Sequence, residues 1–112
     1  MFKEKIEMEF CYGEGIYKEG DFQVKGIITL GEHKLFLKDE EEELTRTYIP
    51  LDKIERMKMT SSGLEIYVCP SLTFRYSAVI KGNKAKLKEL ARDIAMGCGL
   101  KKRFLVNEWV EG

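Results

Sequence analysis

Histidine occurs once in the 112 residues, at His33, beside a turn and flanked by Glu32 and Lys34. A lone histidine there reads as polar surface, and no local motif joins it to Cys11 or Cys69 as a Cys-His pair. Cys11, Cys69 and Cys98 cannot all pair with one another and show no Cys-x-x-Cys spacing. The opening MFKEKIEMEF lacks the apolar stretch of a secretory leader, so the thiols point to a reducing compartment and a cytoplasmic location is expected. No apolar run approaches the ~20 residues that a membrane-spanning helix requires. Net charge is missing too: Lys plus Arg and Asp plus Glu number 19 each, so no global field draws the chain to nucleic acid or membrane.

The same scarcity extends to constellations of reactive groups. The five acids from Asp39 to Glu43 are consecutive, so their side chains diverge and form no metal cage. Gly13-Glu14-Gly15 matches neither a phosphate-binding loop nor a dinucleotide fingerprint, and no pair of carboxylates stands out for acid-base work. The expectation is a protein that is not an enzyme, with no catalytic residues, no cofactor and no metal.

What is present is uneven charge and a clear alternation of apolar residues. From Lys81 to Arg103 eight positive residues face two negative ones, a net of +6, and the remainder carries −6. A length of 112 residues fits one domain with a core that needs no disulfide. Strands are predicted at Ile6–Phe10, Phe22–Leu30, His33–Lys38, Leu44–Ile49, Ile54–Thr60, Leu64–Val68 and Phe74–Ile80, from their period-two patterning. Cys11 to Asp21, with Gly13, Gly15 and Gly20, reads as a long turn in which Ile16 and Tyr17 form at most a short paired stretch. Cys69-Pro70-Ser71 reads as another turn.

One helix is predicted, over about 83–97. Asn83 supplies a cap, and Leu87, Leu90, Ala91, Ile94 and Cys98 trace one stripe before the stop signals Gly97 and Gly99. Beside that stripe Lys84, Lys88 and Arg92 form a basic ridge at four-residue spacing. Like charges at that spacing repel, and cations near a helix N-terminus oppose its dipole, so the ridge is a candidate surface for an acidic partner. A solvated lysine face is the plainer reading. Residues 98–112 form an apolar extension, expected to pack on the domain or on a partner; Lys101, Lys102, Arg103, Phe104 and Trp109 are its candidate contact residues. Basic residues beside Phe104 and Trp109 are the sole candidate for nucleic acid, and the neutral total with no recognised motif weighs against it.

Three segments carry a family likeness. GIITLGEHKLFL (Gly26 to Leu37), YIPLDKI (Tyr48 to Ile54) and the stretch from Phe74 to Ile94 resemble the pleckstrin-homology-like superfold, including its GRAM and bacterial variants. The resemblance spans residues 5–97. It implies a mainly β domain, a seven-stranded antiparallel barrel or sandwich capped by one C-terminal helix. It further implies a binding or scaffold role, and the superfold hosts lipid, peptide and protein ligands alike. Members that bind phosphoinositides carry a basic motif across the first two strands, where this chain has only Lys3, Lys5, Lys18 and Lys25 and no arginine. The expected function is therefore a non-enzymatic module for protein–protein interaction or self-association. The alternative is peripheral binding of anionic lipid headgroups through the basic C-terminal third.

Overall fold

A computed structural model describes residues 9–38, 48–98, 100–102 and 108–111. In chain order the described elements are β1 (Phe10–Glu19), β2 (Phe22–Leu30), β3 (Lys34–Lys38), β4 (Tyr48–Pro50), a 3-10 turn (Leu51–Lys53), β5 (Ile54–Thr60), β6 (Gly63–Ser71), β7 (Phe74–Gly82), α1 (Lys84–Cys98), β8 (Leu100–Lys102) and β9 (Glu108–Glu111). The protein is mainly β, with seven antiparallel strands ahead of one helix, as expected. The strands form one sheet in the order β4-β3-β2-β1-β7-β6-β5-β9-β8. It is not closed into a barrel, since β4 and β8 lie at its two ends.

Alternation places the core. Ile28 pairs with Leu37 and Leu30 with Leu35, which in turn pairs with Ile49. Across the other half Met57 pairs with Ile66, and Leu64 and Ile66 pair with Ile80 and Ala78. All of these are buried in one cluster, joined by Leu87, Leu90, Ala91, Ile94 and Ala95 of α1. Each fully buried aliphatic side chain contributes about 1.5–3 kcal/mol relative to exposure. α1 begins where predicted: the Asn83 side-chain oxygen accepts from the Lys86 N–H at 3.2 Å, and the Asn83 carbonyl accepts from Leu87 at 2.9 Å. Its last residue is Cys98, so Gly97 lies inside the final turn.

The segment expected to be a long turn is instead β1, an interior strand of the sheet between β2 and β7. It pairs with β2 from Phe10 to Glu19, with a register slip between Cys11 and Glu14, and with β7 from Gly15 to Lys18. Gly15 is there to let neighbours approach: a Cβ at that position would lie 2.5 Å from Ile28 Cδ1 and 2.5 Å from the Lys81 carbonyl oxygen. Glycine in this strand thus marks close packing where the sequence suggested a bend. A second difference lies at Cys69-Pro70-Ser71, the bulged end of β6, where register slips between Val68 and Ser71. A bulge spares Pro70 the ladder hydrogen bond that it cannot donate, and the chain turns at Leu72 and Thr73. Of the predicted strands at Ile6–Phe10 and Leu44–Ile49, residues 6–8 and 44–47 lie outside the described residues.

After the helix, β9 pairs with the free edge of β5, setting Met57 opposite Trp109, and β8 pairs with β9. The C-terminal extension therefore adds two short strands to the sheet. Among the described residues no helix is long and apolar enough to cross a membrane.

Candidate partner-binding surfaces

The residues singled out from the sequence fall into two groups. Lys84, Lys88 and Arg92 are exposed on α1, along the flank of the buried stripe of Leu87, Leu90 and Ile94. Arg92 Nε lies 4.0 Å from Asp93 Oδ1, whereas Lys84 and Lys88 form no ion pair among the described residues. The second group is carried by the added strands: register sets Lys102 opposite Trp109 and Lys101 opposite Val110. Arg103 and Phe104 lie outside the described residues. A small hollow of about 150 Å³ adjoins the start of the ridge, lined by Thr60, Ser61 and Ser62 on one side and by Lys81, Lys84 and Leu87 on the other.

α1 packs where β1 begins and β7 ends. The Tyr12 hydroxyl donates to Asp93 Oδ2 at 2.6 Å, and Leu87 adjoins Met59 and Gly82. Among the described residues no helix covers the opposite end of the sheet, and there the inward faces of the strands run past the core. Along β7 exposure rises from 0% at Ile80 and 1% at Ala78, through half-buried Tyr76, to 56% at Phe74. β2 behaves likewise: Ile28 is buried, Val24 is half-buried and Phe22 is 50% exposed.

These side chains form two aromatic pairs, brought near each other through Tyr17, Glu19 and Tyr76. The Phe22 ring meets Tyr17 edge-on with centroids 6.4 Å apart, and Phe74 lies 5.7 Å from Tyr76. The buried Tyr17 hydroxyl donates to Glu19 Oε1 at 2.6 Å. Burial first, then that hydrogen bond and the carboxylate's charge, push the Tyr17 hydroxyl far above the ordinary tyrosine range. Tyr76 is raised as well, by burial and by the proximity of Glu19 and Tyr48. Glu19 thus sits among Tyr17, Phe22 and Tyr76, with half-exposed Tyr48 close by and Leu72 at the β6–β7 turn 94% exposed. Next to Tyr76 a shallow cleft of about 250 Å³ is lined by Glu55, Tyr67, Val68, Arg75 and Ser77, with the Arg75 guanidinium 3.3 Å from Glu55.

Sequence reasoning missed this end. Period-two alternation marks Phe74 and Phe22 as inward-facing, which is correct, but it carries no information on how far along a strand the cover extends. The single usable signal was the crowding of Leu72, Phe74 and Tyr76 around a turn. No group of three or more metal-ligating side chains is assembled among the described residues. No protein-family model, curated protein or solved structure matches the chain.

Proposed function

We propose that this protein is a non-enzymatic binding module of pleckstrin-homology-like architecture that engages a protein partner, a second copy of itself included. The observation that carries this reading is the aromatic end. Phe22, Tyr48, Leu72 and Phe74 are each at least half exposed, and the remaining large exposed apolar side chains among the described residues, Phe10 at the start of β1 and Met96 on α1, stand singly. Exposed apolar groups gathered at one place mark interaction surfaces in soluble domains, and aromatic side chains are enriched at the centres of protein interfaces. Seven antiparallel strands followed by a helix support the architectural part of the proposal.

The test is peptide display on the full chain, with counter-selection on the Phe22→Ser/Phe74→Ser variant. Peptides enriched on the wild type and lost on the variant support the reading. Enrichment that survives both substitutions, or no enrichment together with a wild type that is monomeric, refutes it. Light scattering on the same two proteins then addresses self-association: a dimer that the substitutions dissociate makes a second copy the partner.

A second reading places an anionic lipid headgroup on the basic C-terminal third. It rests on Lys84 and Lys88, exposed and without an ion pair among the described residues, beside the hollow that Lys81 and Lys84 share with Ser61 and Ser62. Binding of that kind weakens steeply with salt, whereas an apolar interface does not. Flotation with phosphatidylserine vesicles at low and high salt separates the two, and Lys84→Glu/Lys88→Glu abolishes only the electrostatic one.

A further inference from the structure

We infer that the aromatic end recognises a cationic side chain, lysine, methylated lysine or arginine, carried in an apolar peptide segment. This rests on the reading of that end as a partner-binding surface and names the chemistry of the partner. In the sheet, β1 lies between β2 and β7. The end of β1 therefore places Glu19 between the strand that carries Phe22 and the strand that carries Phe74. Phe22 pairs directly with Glu19 across the hairpin. One oxygen of the Glu19 carboxylate is held by the Tyr17 hydroxyl at 2.6 Å, which fixes the group in place. Glu19 and Asp21 form no ion pair among the described residues, and both are exposed.

Aromatic rings present a negative face, and a cation near a ring gains from it, most of all when a carboxylate stands beside the ring. The chain already uses this contact elsewhere. The Lys34 ammonium lies 5.1 Å from the Phe36 ring centre and 5.5 Å from that of Tyr48, and the Arg56 guanidinium lies 4.2 Å from that of Tyr67. Phe22 and Phe74 have no such cation among the described residues, although both rings are half exposed. Charge then selects the occupant. An acidic peptide or anionic headgroup at this end would meet the carboxylates of Glu19 and Asp21, while of the described cations Arg75 is engaged by Glu55 at 3.3 Å and Lys34 lies over the Phe36 and Tyr48 rings. A neutral apolar peptide would fill the rings and leave the carboxylates unused. A cationic side chain with apolar neighbours satisfies both.

The experiment is an amide-resolved NMR titration of the full chain with acetyl-Ala-Leu-Xaa-Leu-Ala-amide, where Xaa is lysine, trimethyllysine, arginine, glutamine or glutamate. The cationic peptides are expected to shift the amides of residues 17–22 and 72–76, binding about fivefold tighter than the glutamine peptide, the size of one partly exposed charged contact. Glu19→Gln, a change at an exposed position, removes that preference. Phe74→Leu keeps the apolar surface and loses the preference for trimethyllysine. If the glutamine peptide binds the same amides as tightly as the lysine peptide, the cationic inference fails and the partner-binding reading stands. If no peptide shifts these amides at millimolar concentration, both fall. Shifts confined to other acidic positions overturn the inference as well.

Discussion

Replacing Tyr12 with phenylalanine removes one oxygen atom from the side chain and leaves its ring in place. Tyr12 is 4% exposed, and its hydroxyl donates to Asp93 Oδ2 at 2.6 Å, joining the first described strand to the helix across 81 positions of sequence. The contact is short, and a hydrogen bond to a charged acceptor is worth about 1.5–3 kcal/mol in net stability. Asp93 is only half-buried and Arg92 Nε lies 4.0 Å from its other oxygen, so water and Arg92 soften the loss and place it at the lower end, ~1.5–2 kcal/mol. Unfolding entropy of about 2.1 cal/mol/K per residue turns this into a fall of about 6–8 °C in Tm for a chain of this length. Thermal melts followed by far-UV circular dichroism measure it, with Asp93→Ala and the double variant completing a cycle. Tyr12→Phe/Asp93→Ala is expected to be little worse than the more damaging single change, because both remove the same bond. A Tm within ~2 °C of wild type for Tyr12→Phe, or fully additive effects in the cycle, would show that the bond does not tie the helix to the sheet.

Alkaline pH tests the same hydroxyls. Tyr12 and Tyr17 are both raised, by burial first and then by bonds to Asp93 and Glu19. Their contribution is therefore complete below the unfolded tyrosine value of about 10 and is lost as the pH climbs from there through the higher folded values. Urea midpoints between neutrality and strong alkali should fall more steeply for wild type than for Tyr12→Phe/Tyr17→Phe, and parallel curves would count against the assignment. Gly63 and Gly97 predict opposite signs. Gly63 has φ +135°, and a Cβ there would lie 2.4 Å from the Ile80 carbonyl oxygen, so Gly63→Ala should cost about 3 kcal/mol or more. Gly97 sits in the helix with nothing near, so Gly97→Ala should gain ~0.5–1 kcal/mol, and chemical denaturation of the pair decides both. Asn83→Ala should cost about 1 kcal/mol and Asn83→Gly only a few tenths, since both lose the side-chain cap and the glycine backbone suits the non-helical cap position.

The helix was legible because an amphipathic face is a local property. Leu87, Leu90, Ala91 and Ile94 lie on one side by spacing alone, and all four are buried. The exposure of Lys84, Lys88 and Arg92 follows from the same spacing. The hairpin from Phe22 to Lys38 was legible for the same reason, since its two strands are near neighbours in sequence. β1 was not. Its glycines have the local signature of a turn, and what overrides that signature is the approach of Ile28 and Lys81, remote in sequence, to Gly15. The strands after the helix, three and four residues long, are too short to show alternation and take their conformation from the edge of β5. The aromatic end escaped because exposure there depends on where α1 lies, and no spacing within β2 or β7 encodes that.

The placement of β1 bears on how the chain acquires its shape during synthesis. Gly15 pairs with Gly82, so the middle of the sheet brings together one of the earliest described strands and the last strand before the helix. At about 5–20 residues per second, a ribosome needs several seconds to supply the second member after the first has emerged. Until then β1 and β2 stand as a hairpin with Ile28, Leu30 and Tyr17 uncovered and one edge open. A chaperone that holds extended apolar segments finds its substrate in that interval, and a stalled chain that ends within β6 is the species most prone to aggregate.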